Sequence, residues 1–336
     1  MELIQAQALP ALSRVKPSGR NPVRVGLVQT RWHADAAEHA DVLRDGITTC
    51  AQAGAEIVFL QELTLSRYPA DVRPGGVPNA TAEQLAGGPT FSLASQAASA
   101  NGIFVHASLF RYDELPDGRG WNTAILVGPD GRLVGQTDKL HIPVTAGYYE
   151  DQYFTPGLAS DDPYPVHHVE LHSGERLDLG MPTCWDEWFP EVARNYSLRG
   201  AEVLVYPTAI GSEPDHPDFD TEPLWEKVIV ANGISNGTFM VVPNRWGNEG
   251  AITFYGSSFI SDPYGRILAQ APREGDYAVV ADLDLDQRRD WLDLFPFLAT
   301  RRPDTYSALV EPVTNPRSAN GDGIDGGIAG QWSTRS

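Results

Sequence analysis

The sequence predicts an α/β fold in which two β-sheets pack face to face with helices on the outside. Three observations carry this. Apolar runs of strand length alternate with stretches of helical periodicity. Several runs, such as Ile57-Val58-Phe59-Leu60, are continuously apolar, the pattern of a strand buried on both faces. Two hairpin signals of one design interrupt the alternation, which suits two stacked sheets better than one doubly wound sheet. The expected architecture is a four-layer α-β-β-α sandwich in a single large domain. The 336 residues, 42% hydrophobic, are enough for its core.

In chain order, residues 1–22 lack a basic segment followed by an unbroken apolar core. They are expected to form an arm or a poorly ordered lead-in, not a signal peptide. Residues 23–29 read as the first strand. Residues 36–53 read as a helix, with Val42, Leu43 and Ile47 at helical spacing and Gly54 ending it. The strand at 57–60 delivers Gln61 and Glu62. A Pro/Gly-rich loop from 68 to 89 leads to a helix at 90–100, stopped at Asn101-Gly102, and a strand at 103–110. Strands at 124–127 and 133–137 flank Gly128-Pro129-Asp130-Gly131, a hairpin turn, and Lys139 follows directly. The run from Leu177 arrives at Cys184 as strand, tight turn and helix. A helix at 190–199, a strand at 203–206, a helix from 222 and a strand at 239–243 follow. The second hairpin, 257–261 and 266–270, turns at Asp262-Pro263-Tyr264-Gly265. The expected divisions are an N-terminal arm at 1–22, one domain at 23–310, and a Gly/Asp/Ser-rich tail at 311–336, either disordered or laid on a partner subunit.

Composition narrows the function. A net charge of −19 disfavours nucleic acid and anionic membranes as partners and tolerates a neutral or cationic small substrate. No stretch approaches the roughly 20 apolar residues of a membrane span. Two cysteines, Cys50 and Cys184, make no disulfide framework and suit a reducing, cytoplasmic setting.

Glu62, Lys139 and Cys184 each stand where an apolar run ends, and ligand crevices form at the carboxyl ends of strands. A carboxylate, an amine and a thiol suffice for acyl transfer through a thioester. At the start of a helix, Cys184 is expected to gain thiolate character from the helix dipole.

Phe59-Leu60-Gln61-Glu62, Asp138-Lys139-Leu140-His141-Ile142-Pro143 and Cys184-Trp185-Asp186-Glu187-Trp188-Phe189-Pro190-Glu191 resemble the Glu-Lys-Cys motifs of the nitrilase superfamily of carbon-nitrogen hydrolases. The run 147–157 around Glu150, the run Tyr206-Pro207-Thr208-Ala209-Ile210-Gly211-Ser212-Glu213-Pro214, and the segments 253–260 and 301–306 resemble the N-carbamoylputrescine amidase-like branch. The resemblance implies a nitrilase-type sandwich that pairs into a homodimer or larger assembly and needs neither metal nor organic cofactor. It implies that Glu62 is the base and Cys184 the nucleophile. Lys139 and the Trp185 N–H form the oxyanion site, and Glu150 is a second glutamate of the catalytic site. Tyr148, Trp188, Thr208, Ala209 and Glu213 are expected to bind substrate.

Two departures stand out: Pro182, two residues before the nucleophile, and the glycine-rich 232–237, where the family has a firmer helix. Members that take N-carbamoyl amino acids hold the carboxylate with arginines near the nucleophile, whereas residues 185–191 contain no basic residue. The expected activity is hydrolysis of a linear N-carbamoyl amine. The alternatives are a β-ureidopropionase, an aliphatic or ω-amidase, and a catalytically silent scaffold subunit. His167, His168 and His172 match no standard metal spacing. His141, on the same face of an extended segment as Lys139, is expected to be structural. Cys50 is expected to be buried and inert. The acidic residues 215–222 are expected to be a solvated loop, with Glu213 alone near the pocket mouth.

Overall fold

The computed structural model describes residues 1–160 and 162–311. The expected tail at 311–336 lies, but for its first residue, outside the described residues. The strands in chain order are β1 Glu2–Ala6, β2 Val23–Gln29, β3 Ile57–Phe59, β4 Phe104–Arg111, β5 Trp121–Val127, β6 Leu133–Asp138, β7 Val166–Glu170, β8 Arg176–Gly180, β9 Val203–Val205, β10 Phe239–Val242, β11 Trp246–Asn248, β12 Thr253–Tyr255, β13 Phe259–Ser261, β14 Ile267–Gln270 and β15 Tyr277–Leu283. The helices are α1 Ala36–Gln52, α2 Pro89–Asn101, α3 Pro190–Leu198, α4 Glu222–Asn236 and α5 Asp286–Leu294.

One sheet runs β1-β15-β2-β3-β4-β5-β6 and the other β14-β13-β10-β9-β8-β7. Side chains alternate across a strand, so each central strand feeds two cores. Val23, Val25 and Leu27 of β2, Val279 and Ala281 of β15, Leu177 and Leu179 of β8, and Phe239 and Val241 of β10 meet between the sheets. Val28, Val58, Val105 and Val280 turn the other way, against Leu43 and Ile47 of α1 and Leu93 of α2. Leu204, Met240 and Phe259 likewise pack on Val192 of α3 and on Trp225 and Ile229 of α4. This is the expected four-layer sandwich. It also explains the unbroken apolar runs, since neither face of these strands meets water.

Two departures prove mild. β8 ends at Gly180, so Pro182 interrupts no ladder. α4 runs on through Gly233 to Asn236 and stops at Gly237 in the left-handed conformation, φ 65°. A side chain at Gly233 would press on Met240, so close packing accounts for that glycine.

The expected arm at 1–22 is instead tied down along its length. β1 pairs in parallel with β15, from Glu2 opposite Tyr277 to Ala6 opposite Ala281. The Met1 ammonium meets Asp45 at 2.9 Å. Arg14 bridges Asp284 and Asp290, each at 2.7 Å, and Arg20 reaches Glu202 at 2.5 Å. An edge strand of mixed polarity has no apolar run to announce it, and its partner strand lies far along the chain. Two compact units divide at Phe295, short of the expected boundary at 310. Among the described residues, Met1–Phe295 holds every strand and α-helix, and the second unit has only the short 3-10 turns Pro303–Thr305 and Ser307–Val310.

Deleting residues 1–22 is therefore expected to lower the thermal midpoint by at least about 5 °C, measured by circular dichroism. An unchanged midpoint would mean that the β1 ladder and its ion pairs add nothing.

Candidate active site

Three strand ends converge. Glu62 follows β3, Lys139 follows β6, and Cys184 follows β8 of the opposite sheet. All are buried: Glu62 is 0% exposed, Lys139 1% and Cys184 5%. The Lys139 ammonium donates to Glu62 Oε1 at 2.8 Å and to Glu150 Oε2 at 2.6 Å. Asn122 Nδ2 gives Glu62 Oε1 a second hydrogen bond at 2.7 Å, and the Tyr68 hydroxyl donates to Glu150 Oε1 at 2.8 Å. Glu62 Oε2 has no hydrogen-bond partner among the described residues. The structure thus brings together all four residues expected to be catalytic.

Each of these residues is held by partners distant in sequence. Leu63, just after Glu62, has φ 50°. The fully buried Arg245 donates to the carbonyls of Glu62 at 2.6 Å and Leu63 at 3.0 Å, while its other amino group is paired with Glu249. Cys184 has φ 43°, unusual for a side chain with a Cβ, and its N–H is fixed on the Pro207 carbonyl at 3.0 Å. Asp186 ties this turn to the Lys139 segment. It accepts from Thr183 N at 3.1 Å and His141 N at 2.9 Å, and it lies 2.7 Å from His141 Nδ1. His141 stacks on Phe189 at 3.7 Å, the structural part expected of it. The Trp185 N–H makes no hydrogen bond among the described residues, so it is free to donate to a ligand.

The electrostatics overturn one expectation. Cys184 starts a five-residue 3-10 turn, with α3 beginning only at Pro190, so no long helix dipole acts on it. Burial, then the Glu62 carboxylate, hold its thiol well above the ordinary range, against the pull of Lys139. The resting group is a thiol, and its proton must leave during attack. Burial opposes the charge on Lys139, but Glu150 and Glu62 outweigh it and keep the ammonium protonated. Burial pushes Glu150 up to about 7, with Lys139 opposing and Glu62 assisting.

The remaining expectations sort as follows. Tyr148 is buried against Tyr68, Ala209 and Phe254, and its hydroxyl accepts from Gly211 N at 3.0 Å and donates to Ser212 O at 3.2 Å. Gly147, at φ 80°, lets this loop close on Pro214, where a Cβ would come within 2.4 Å. Thr208 spends its hydroxyl on the Pro243 carbonyl at 3.1 Å and is a structural tie. Trp188 is half-buried beside Trp185, 6.2 Å between ring centroids. Glu213 is half-buried, its pKa raised by burial against His216 and Thr221, and its charge bears on Tyr148. Asp215, Asp218 and Asp220 are exposed, as expected, whereas Glu222 is half-buried and starts α4. Cys50 is buried, its thiol pushed up to about 12 by burial. No group of acidic, histidine or cysteine side chains fit for a metal occurs among the described residues. His167 is packed over Gly135, and His168 pairs with Asp178 at 2.7 Å. No helix among them is long and apolar enough to cross a membrane. Sequence reasoning missed Tyr68, Asn122, Asp186, Glu187 and Arg245. Only Asp186 and Glu187, inside the nucleophile motif, carried any signal.

Comparison with known proteins identifies the family. Residues 24–293 match the model of the carbon-nitrogen hydrolase family. The chain is 33% identical to a citrullinase from Francisella tularensis over 86% of this chain and 98% of that one. It is 32% identical to an N-carbamoylputrescine amidase from Solanum lycopersicum over 86% of this chain and 95% of that one. A carbon-nitrogen hydrolase from Helicobacter pylori superposes with a TM-score of 0.72 at 28% identity, covering 86% of this chain and 99% of that one. The chain belongs to the carbon-nitrogen hydrolase family, the nitrilase superfamily, and is an enzyme acting on non-peptide C–N bonds.

Glu150 supplies a pH test. Its folded-state pKa, about 7, lies above the ordinary 4.5, so folding binds the Glu150 proton more tightly than the unfolded chain does. That contribution is complete below about pH 4.5 and is lost as pH rises to about 7. Relative to Glu150→Gln, the wild type should therefore lose stability between pH 5 and pH 7.5, read as urea midpoints. A constant difference between the two would contradict the burial argument.

Proposed function

We propose that this carbon-nitrogen hydrolase cleaves a linear N-carbamoyl amine, N-carbamoylputrescine or a close relative, to the amine, carbon dioxide and ammonia. The observation that carries the reading is the buried Glu62–Lys139–Glu150 ion-pair system beside a thiol on a strained turn. Glu62, through the unpartnered Oε2, takes the Cys184 proton as sulfur attacks the ureido carbon. Lys139 and the Trp185 N–H receive the developing oxyanion. The proton passes to the departing nitrogen, ammonia leaves, and a thiocarbamate remains on Cys184. Water, deprotonated by Glu62, cleaves it to a carbamic acid, which falls apart into amine and carbon dioxide. Glu150 holds Lys139 and the substrate nitrogen.

The amine end is read from charge. The segment after Cys184 offers no cation to hold a carboxylate, the chain carries −19, and the charge of Glu213 bears on Tyr148. A second reading is a ureido amino acid, favoured by the likeness to a citrullinase. We also infer a homodimer or larger assembly from the family resemblance. Light scattering would report its mass, and a monomer at micromolar concentration would refute it.

Ammonia release from N-carbamoylputrescine, N-carbamoylbutylamine, citrulline, β-ureidopropionate and a simple aliphatic amide tests the reading. N-carbamoylputrescine should have the highest kcat/KM, and Glu213→Gln should cut its lead over N-carbamoylbutylamine by on the order of thirtyfold. If β-ureidopropionate is best, the cationic reading is wrong; if citrulline is best, the second reading holds. Cys184→Ala should be inactive on all of them. More than about a hundredth of wild-type activity there would exclude covalent catalysis.

A further inference from the structure

Beside the nucleophile lies a group of buried polar atoms that the described residues pair incompletely. Glu187, three residues after Cys184, is 0% exposed. The Trp225 indole N–H lies beside its carboxyl and is the group placed to donate to it, at the margin of hydrogen-bond geometry; no other partner of the two oxygens occurs among the described residues. The Tyr206 hydroxyl, buried and without a partner among the described residues, and the Tyr255 hydroxyl, beside Thr221, are close enough to feel its charge. The placement is built in: the backbone carbonyl of Glu187 accepts from Asn232 Nδ2 of α4 at 2.8 Å. Glu187 belongs to the same short turn, Cys184–Trp188, as the nucleophile and lies close enough for its charge to bear on Cys184 and to feel Glu62 and Lys139. Burying a polar group without its full set of partners is unfavourable, so such a group is expected to complete them in bound ligand or water.

The substrate chemistry assigned above leaves one donor without a partner. In a carbamoyl amine, R–NH–CO–NH2, the oxygen goes to Lys139 and the Trp185 N–H, and the leaving nitrogen goes to Glu62 and Glu150. The retained N–H, next to the scissile carbon, has nothing. A carboxamide of the same length has a methylene there and brings no such donor. We propose that Glu187 is a specificity-determining residue whose carboxyl accepts this retained N–H and thereby selects ureides over carboxamides. The inference rests on the carbamoyl-amine reading. Burial holds Glu187 well above the usual carboxylate range, so the acceptor is the carbonyl oxygen of a neutral acid.

The test compares kcat/KM for N-carbamoylputrescine and its carboxamide isostere 6-aminohexanamide, in the wild type, Glu187→Gln and Glu187→Met. The wild type should prefer the ureide by on the order of thirtyfold or more. Glu187→Met should lower the ureide value by about that factor and leave the carboxamide within about threefold. Glu187→Gln, which keeps a carbonyl acceptor, should retain most of the preference. Parallel losses on both substrates in Glu187→Met would mark a purely structural role and overturn the inference. So would a preference lost as fully in Glu187→Gln as in Glu187→Met. Should Glu187→Met fail to fold, as judged by thermal melting, the wild type still decides: equal rates on the two substrates refute the inference. A wild type that hydrolyses only the carboxamide refutes the carbamoyl-amine reading itself.

Discussion

Lys139 is an ammonium taken almost wholly out of water and held between two carboxylates, 2.8 Å from Glu62 and 2.6 Å from Glu150. Removing such charges from solvent costs several kcal/mol per ion, and their mutual attraction offsets this only with good geometry and further hydrogen bonds. Those bonds are present: Asn122 serves Glu62 and Tyr68 serves Glu150. The arrangement therefore fixes much else. It requires β3, β5, β6 and the loop at Glu150 to end within a few ångströms of one another. It also leaves one carboxylate oxygen, Glu62 Oε2, without a hydrogen-bond partner among the described residues.

Cys184 is the counterpart on the second sheet. Its left-handed backbone and the neighbouring Leu63 turn are sparsely populated conformations that persist only when the surroundings over-determine them. The surroundings here are specific. Pro207 anchors the Cys184 N–H, Arg245 clamps the Glu62–Leu63 carbonyls, and Asp186 couples the nucleophile turn to the segment after Lys139. A thiol held protonated by burial and by Glu62 is protected from adventitious chemistry. Its activation is coupled to a substrate that brings an electrophilic carbon and excludes water.

The two-sheet sandwich was legible because central strands buried on both faces leave unbroken apolar runs, as at 57–60 and 203–206. The expected ends of β2 and the start of α1 match the structure. β1 was not legible: Glu2–Ala6 is an edge strand of mixed burial whose stability comes from β15. In the site, Glu62, Lys139 and Cys184 stood out as polar residues closing apolar runs. Arg245 and Asn122 did not, because each acts on a residue at least 60 positions away and neither sits in a local pattern. The expected thiolate at Cys184 failed for a related reason. Burial and the approach of Glu62 are tertiary facts, and they outweigh a short turn's dipole.

The account rests on covalent chemistry at Cys184 driven by the buried carboxylate–ammonium system. Rapid-quench mass spectrometry of the enzyme turning over N-carbamoylputrescine tests it most directly. The predicted result is an adduct on Cys184 equal in mass to the substrate less ammonia, formed far more slowly in Glu62→Gln. Turnover with no adduct on Cys184 at any quench time, or an adduct that forms equally fast without the Glu62 carboxylate, would contradict it.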